Sequence, residues 1–138
     1  MLLRKDAKIE MLRRAPLFQG CSKRELQQIA GLADELWLPE GRTLIKEGAR
    51  GREFFALVDG DVDVRRKGRK LRTLSGGDFF GELALVTDAP RSATVTATSP
   101  VRVLVITERA FAGLMRDSPT IQRKVLLALA ARLAPETV

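Results

Sequence analysis

The chain contains no histidine, no tyrosine and no asparagine, and its only cysteine is Cys21. Each absence closes off a class of chemistry. Without histidine there is no Ser–His or Cys–His nucleophilic pair and no zinc site of the Cys/His kind. Without asparagine there is no N-glycosylation acceptor. A lone cysteine cannot build a disulfide framework, which leaves a reducing, cytoplasmic setting as the default. No apolar run approaches the length needed to cross a bilayer, and residues 1–9 lack the apolar region of a signal peptide.

What is present is a chain of 138 residues, 45% hydrophobic, with a net charge of +7. That length predicts one domain, 1–138, large enough to bury a sizeable core. The charge would attract an anionic partner without saying which.

The pattern changes twice along the chain. Residues 1–18 begin with an amphipathic helix, with Ile9, Met11 and Leu12 as its apolar side, and Pro16 interrupts it. Ser22-Lys23-Arg24-Glu25 reads as a capping box, and Leu26, Ile29, Ala30 and Ala33 follow at helical spacing, predicting a helix over 23–33. From Asp34 short apolar runs are punctuated by glycine: 36–38, 43–46, 54–58, 62–64 and 71–74 read as strands, with closing strands at 93–97 and 101–106. Val62 and Val64 alternate with Asp61, Asp63 and Arg65, the pattern of a strand buried on one face. Residues 107–117 then read as a helix carrying Phe111, Leu114 and Met115. Ser118-Pro119 starts another, running to about Leu133. The last helix is apolar almost all round, which predicts cover on more than one side.

Between the strands lies the stretch that carries the chemistry. Phe79-Phe80-Gly81-Glu82-Leu83-Ala84-Leu85 is followed by Pro90-Arg91-Ser92-Ala93-Thr94-Val95. Gly81 permits close backbone approach, and Glu82 to Val86 reads as one helical turn whose first N–H groups face outward to an anion. Arg91 supplies a planar, permanently charged fork suited to phosphate oxygens. Glu82 beside it would repel a bare phosphate, so it suits a hydroxyl attached to the same ligand. A phosphate with a hydroxyl points to a nucleotide.

These two segments resemble the phosphate-binding cassette of the cyclic nucleotide-binding domain family, which includes catabolite activator proteins, protein kinase A regulatory subunits and cyclic nucleotide-gated channels. The resemblance extends from Ala15 to about Leu133. It implies an α+β, mainly β fold: an antiparallel jelly-roll barrel (34–106) with N-terminal helices (1–33), a short phosphate-binding helix and two C-terminal lid helices (107–134). It implies cAMP or cGMP as ligand, with no catalytic role and no cofactor or metal. Arg91 takes the cyclic phosphate and Glu82 the ribose 2′-hydroxyl. Gly81, Leu83, Ala84 and Ala93 contribute backbone, and Ser92 its hydroxyl. Threonine at the Ser92 position accompanies guanine recognition in the family, so serine leaves the base open and cAMP is favoured. Arg132, on one face with Ile121, Val125 and Leu129, would stack on the purine, with Arg123 a lesser candidate.

Other features read as bland. The basic run Arg65-Arg66-Lys67 with Arg69, Lys70 and Arg72 lies on one hairpin without interleaved aromatics, and reads as a solvated surface. Cys21 reads as an idle thiol, and Trp37 as barrel packing. The leading function is a cyclic-nucleotide sensor whose C-terminal helices move on binding. Its output would go to a downstream effector protein, a partner copy joined through the C-terminal helix, or a further domain. The competing readings are a non-binding interaction module and a fragment of a DNA-binding regulator. No recognition helix follows Leu133 in this sequence. An enzyme fits least, since Glu82 has no acid–base mate and Cys21 no histidine.

Overall fold

The computed structural model describes residues 2–85 and 87–133, with the backbone alone at Leu83, Arg132 and Leu133. They fold as two compact units, one of residues up to Leu32 and from Arg109 onward, the other of Ala33–Glu108.

The first unit is helical. It contains α1 (Lys5–Arg13), a 3-10 turn (Pro16–Phe18), α2 (Lys23–Ala30), α3 (Glu108–Asp117, starting at the unit boundary) and α4 (Pro119–Leu133). The capping box forms: Glu25 N–H donates to Ser22 Oγ (3.2 Å), and Ser22 N–H donates to Glu25 Oε1 (2.7 Å). The same Glu25 carboxylate accepts from the Lys124 ammonium of α4. That bond first, and then the Ser22 N–H, hold the Glu25 carboxyl below the usual carboxylate range. Phe18 meets Phe111 with ring centroids 5.8 Å apart, and Leu12, Leu17, Leu26, Ile29 and Ile121 are fully buried. Ser118 caps α4, accepting from Ile121 N–H at 3.4 Å, as its place before Pro119 predicts. The expected cover of α4 on more than one side is not found. Ile121 and Val125 are buried, whereas Leu126 and Leu127 are 65% and 55% exposed. The apolar residues of α4 outnumber the positions its own unit can cover.

Among the described residues the second unit holds eight strands: β1 (Asp34–Leu38), β2 (Thr43–Ile45), β3 (Glu53–Asp59), β4 (Asp61–Arg66), β5 (Arg69–Ser75), β6 (Phe79–Phe80), β7 (Thr94–Ala97) and β8 (Val101–Thr107). They form two antiparallel four-stranded sheets, ordered β1-β8-β3-β6 and β2-β7-β4-β5. Strands consecutive in the chain repeatedly change sheet, giving a jelly-roll-like sandwich. Its core takes Phe55, Leu57, Phe80, Val101, Val103 and Val105 from one sheet and Ile45, Val62, Val64, Val95 and Ala97 from the other. Full burial of such a side chain is worth roughly 1.5–3 kcal/mol.

Two details depart from expectation. Trp37 does not pack the core; it is 60% exposed, with the Arg102 guanidinium 4.8 Å from the ring centroid. The two-residue period of β1 explains this. Leu36 and Leu38 oppose Val103 and Val101 of the core, so Trp37 falls on the other face opposite Arg102. There the cation covers the ring face. The second departure is β6, which pairs Phe80 with Phe55 and Phe79 with Ala56. Its two phenylalanines stack on β3, Phe79 on Phe54 at 6.0 Å and Phe80 on Phe55 at 5.0 Å. This short strand delivers Gly81 to the start of β3.

Candidate functional site

The chain leaves β6 through Gly81, whose φ of 77° is a left-handed conformation that favours glycine. A 3-10 turn, Glu82–Leu85, follows, closed by Ala84 N–H donating to Gly81 O (3.1 Å). The expected turn thus forms, but more tightly, and the Ala84 N–H is engaged inside it. Val86 lies outside the described residues. Ala84 and Leu85 are buried, and Glu82 is half-buried with Oε2 shielded from solvent.

The second half of the site comes from the segment ending at β7. Its backbone is clamped by the loop between β2 and β3. Arg91 N–H donates to Ala49 O and Gly48 N–H to Arg91 O, both at 2.8 Å, beside a bridge between Arg50 and Pro90. The Arg91 side chain runs back between two glycines. A Cβ on Gly81 would come within 2.8 Å of Arg91 Nη1 and 2.9 Å of Glu53 O, and one on Gly51 would overlap the guanidinium. Arg91 Nη1 donates to Gly81 O (3.2 Å) and Nη2 to Glu53 O.

This arrangement sets the electrostatics. The Arg91 side chain is only 9% exposed, yet its nearest carboxylate, Glu53, is 3.8 Å away and itself 47% exposed. Burial accordingly lowers the Arg91 pKa, and Glu53 offsets this in part. Backbone carbonyls fix the guanidinium in place without neutralising it. Of its five N–H donors, the carbonyls engage two. A rigid buried cation of this kind is suited to receive a phosphate.

The structure therefore brings Gly81, Glu82, Ala84 and Arg91 to one place in the sandwich unit. Ser92 and Ala93 follow directly, Ser92 exposed and Ala93 buried. The side chains of Leu83 and Arg132 lie outside those described. Sequence reasoning missed Gly51 and Glu53, which complete the slot. Gly51 sits in a run of glycines and charged residues (Glu47-Gly48-Ala49-Arg50-Gly51-Arg52-Glu53) with no local signal to single it out. Among the described residues no group of His, Cys, Asp and Glu could hold a metal ion, and no helix is long and apolar enough to cross a membrane.

The model of the cyclic nucleotide-binding domain matches residues 35–118, which span both halves of this site. The chain belongs to the cyclic nucleotide-binding domain family. It is 38% identical over 117 residues to a cAMP-dependent protein kinase regulatory subunit of Colletotrichum orbiculare, covering 83% of this chain and 30% of that protein. It is 30% identical over 122 residues to a cGMP-dependent protein kinase of Caenorhabditis briggsae, covering 83% of this chain and 16% of that protein. The chain thus spans less than a third of the length of either relative. Among solved structures, the N-terminal domain of a transcriptional regulator from Streptomyces coelicolor A3(2) superposes with a TM-score of 0.84 at 29% identity, covering 92% of this chain and 94% of that one.

Proposed function

We propose that this domain is a cyclic-nucleotide sensor that binds cAMP in preference to cGMP and passes occupancy on through its C-terminal helices. The observation that carries the reading is Arg91, a nearly buried guanidinium positioned by the carbonyls of Gly81 and Glu53, with the half-exposed Glu53 carboxylate 3.8 Å away. A cyclic phosphodiester bears one negative charge and two free oxygens, matching the donors that remain. In this reading Glu82 accepts the ribose 2′-hydroxyl, Ser92 and the Ala93 N–H meet the phosphate, and the backbone at Gly81 and Leu83 lines it. The similarity to a cAMP-dependent regulatory subunit supports adenine over guanine, while the serine at position 92 is compatible with either base.

Arg132, near the end of α4, supplies the purine stack. Ligand then shifts the population of helix positions by no more than its differential affinity for the two states. The domain itself performs no catalysis and works in the cytoplasm, as its lone buried Cys21 suggests. Its output passes to a downstream effector protein or to a second copy of the chain. The exposed Leu126 and Leu127 on α4 support the second route.

Calorimetric titration with cAMP and cGMP in parallel tests the reading. The expected result is saturable heat with both, tighter for cAMP. No heat with either at high micromolar concentration overturns the sensor function, and tighter cGMP binding overturns the base preference.

A further inference from the structure

The β4–β5 hairpin lies against the site: β4 pairs with β7 as far as Arg65 opposite Thr94, and one side-chain bond reaches further along that segment. Arg66, the last residue of β4, donates its Nε–H to the Ser92 carbonyl at 2.9 Å. Two other cations of the hairpin are matched to an acid: Arg65 and Lys70 both face Asp63, at 3.6 and 3.4 Å. Arg66 instead holds a backbone oxygen one residue beyond Arg91.

A second route ties the same pieces together. The hairpin turns at Lys67 and Gly68, whose φ angles of 51° and 77° are both left-handed. Lys67 N–H donates to Glu47 Oε1 (2.9 Å), and Glu47 N–H donates to Thr94 Oγ1 (3.0 Å). Gly48 and Ala49, next along, hold the backbone of Arg91. Residues 91–94 are therefore fastened both to the hairpin tip and to the loop at 47–49.

We propose that Arg66 is a positioning residue of the anion site, orienting the Ser92–Ala93 peptide through its bond to the Ser92 carbonyl. The inference rests on the cyclic-nucleotide reading of that site. A trans peptide is planar, so its C=O and N–H point in opposite directions. No peptide bond in the described chain is cis. Holding the Ser92 oxygen on the hairpin side therefore directs the Ala93 N–H the other way and fixes its tilt. The ligand class served is a singly charged phosphodiester, which needs its donors placed before it arrives.

Side-chain length gives a clean test. Glutamine has an N–H donor the same number of bonds from its Cα as arginine Nε, so Arg66→Gln keeps the bond and loses the charge. Arg66→Lys keeps the charge and places a methylene there. cAMP would be titrated calorimetrically into the full chain carrying Arg66→Ala, Arg66→Gln, Arg66→Lys or Arg69→Ala, beside wild type. The Ala93 amide would be followed by two-dimensional NMR without ligand. We expect Arg66→Ala to bind about fivefold to thirtyfold more weakly, with a displaced Ala93 amide signal. Arg66→Gln should recover most of both, Arg66→Lys little of either, and Arg69→Ala should stay within about twofold of wild type. Wild-type affinity in Arg66→Ala overturns the inference. So does equal weakening by Arg66→Ala and Arg69→Ala, or rescue by lysine but not glutamine, since charge alone would then suffice. Absence of binding by wild type is a different outcome: it overturns the sensor reading and this inference with it.

Discussion

Replacing Gly51 by alanine puts a methyl group where the Arg91 guanidinium lies. A Cβ built on Gly51 falls 2.5 Å from Arg91 Cζ and 2.6 Å from Cδ, far inside a carbon contact of about 3.5–4.0 Å. Its three nearest atoms all belong to Arg91. Gly51 is not among the residues with positive φ, so alanine takes its backbone without strain. The closest conflict is with Arg91, which must leave the slot and give up its bonds to Gly81 O and Glu53 O. The freed guanidinium regains water, so the fold should lose only about 1–2 kcal/mol, a few degrees in melting temperature. Binding should lose far more. Displacing a buried cation from its anion costs roughly 2–4 kcal/mol, about 30-fold to 1,000-fold in Kd. The assay is calorimetry with cAMP beside thermal unfolding. Gly20→Ala serves as control, since a Cβ there meets only Lys124 carbons at ordinary distances of 3.7 and 3.8 Å. If Gly51→Ala binds cAMP as wild type does, the slot is not what positions the anion-binding cation.

Three further outcomes are expected. Glu82→Ala should weaken cAMP roughly tenfold or more and narrow its preference over 2′-deoxy-cAMP, read by competition; an undiminished preference removes Glu82 from the ribose. Arg132→Ala should weaken cAMP several-fold, by about 0.5–2 kcal/mol of lost stacking, without changing the melting temperature; unchanged affinity removes it from the base. Glu25→Gln should lower stability by about 0.5–2 kcal/mol at pH 7. The folded-state pKa of Glu25 is depressed, so its contribution is present above the ordinary carboxylate value and lost as pH falls through the lowered one. Urea unfolding should therefore show the two proteins converging below about pH 4; a gap independent of pH would contradict the assignment.

Much of this is legible in the sequence, where the signal is local. Ser22 and Glu25 form their capping box because three residues set the geometry without help from elsewhere. Val62 and Val64 are buried because alternation alone decides a strand's face. Gly81, Glu82 and Arg91 stand out because their residue types suit an anion beside a hydroxyl. What was hidden depends on tertiary neighbours. Gly51 and Glu53 join the site only because Phe79–Phe80 pairs with β3, a strand too short to carry a period. The bond from Arg66 to Ser92 spans 26 positions and has no local sign. The face taken by Trp37 is legible in the period of Glu35-Leu36-Trp37-Leu38, which sets it opposite the two leucines. In α4 the apolar pattern is legible, but not which part of it the unit covers.

The central claim is that Arg91 is held as a buried cation to receive a cyclic phosphate. Titration of cAMP into Arg91→Ala, with circular dichroism showing the fold intact, tests it most directly. The account predicts affinity at least about 100-fold below wild type with the secondary structure unchanged. A folded Arg91→Ala protein that binds cAMP as tightly as wild type would contradict it.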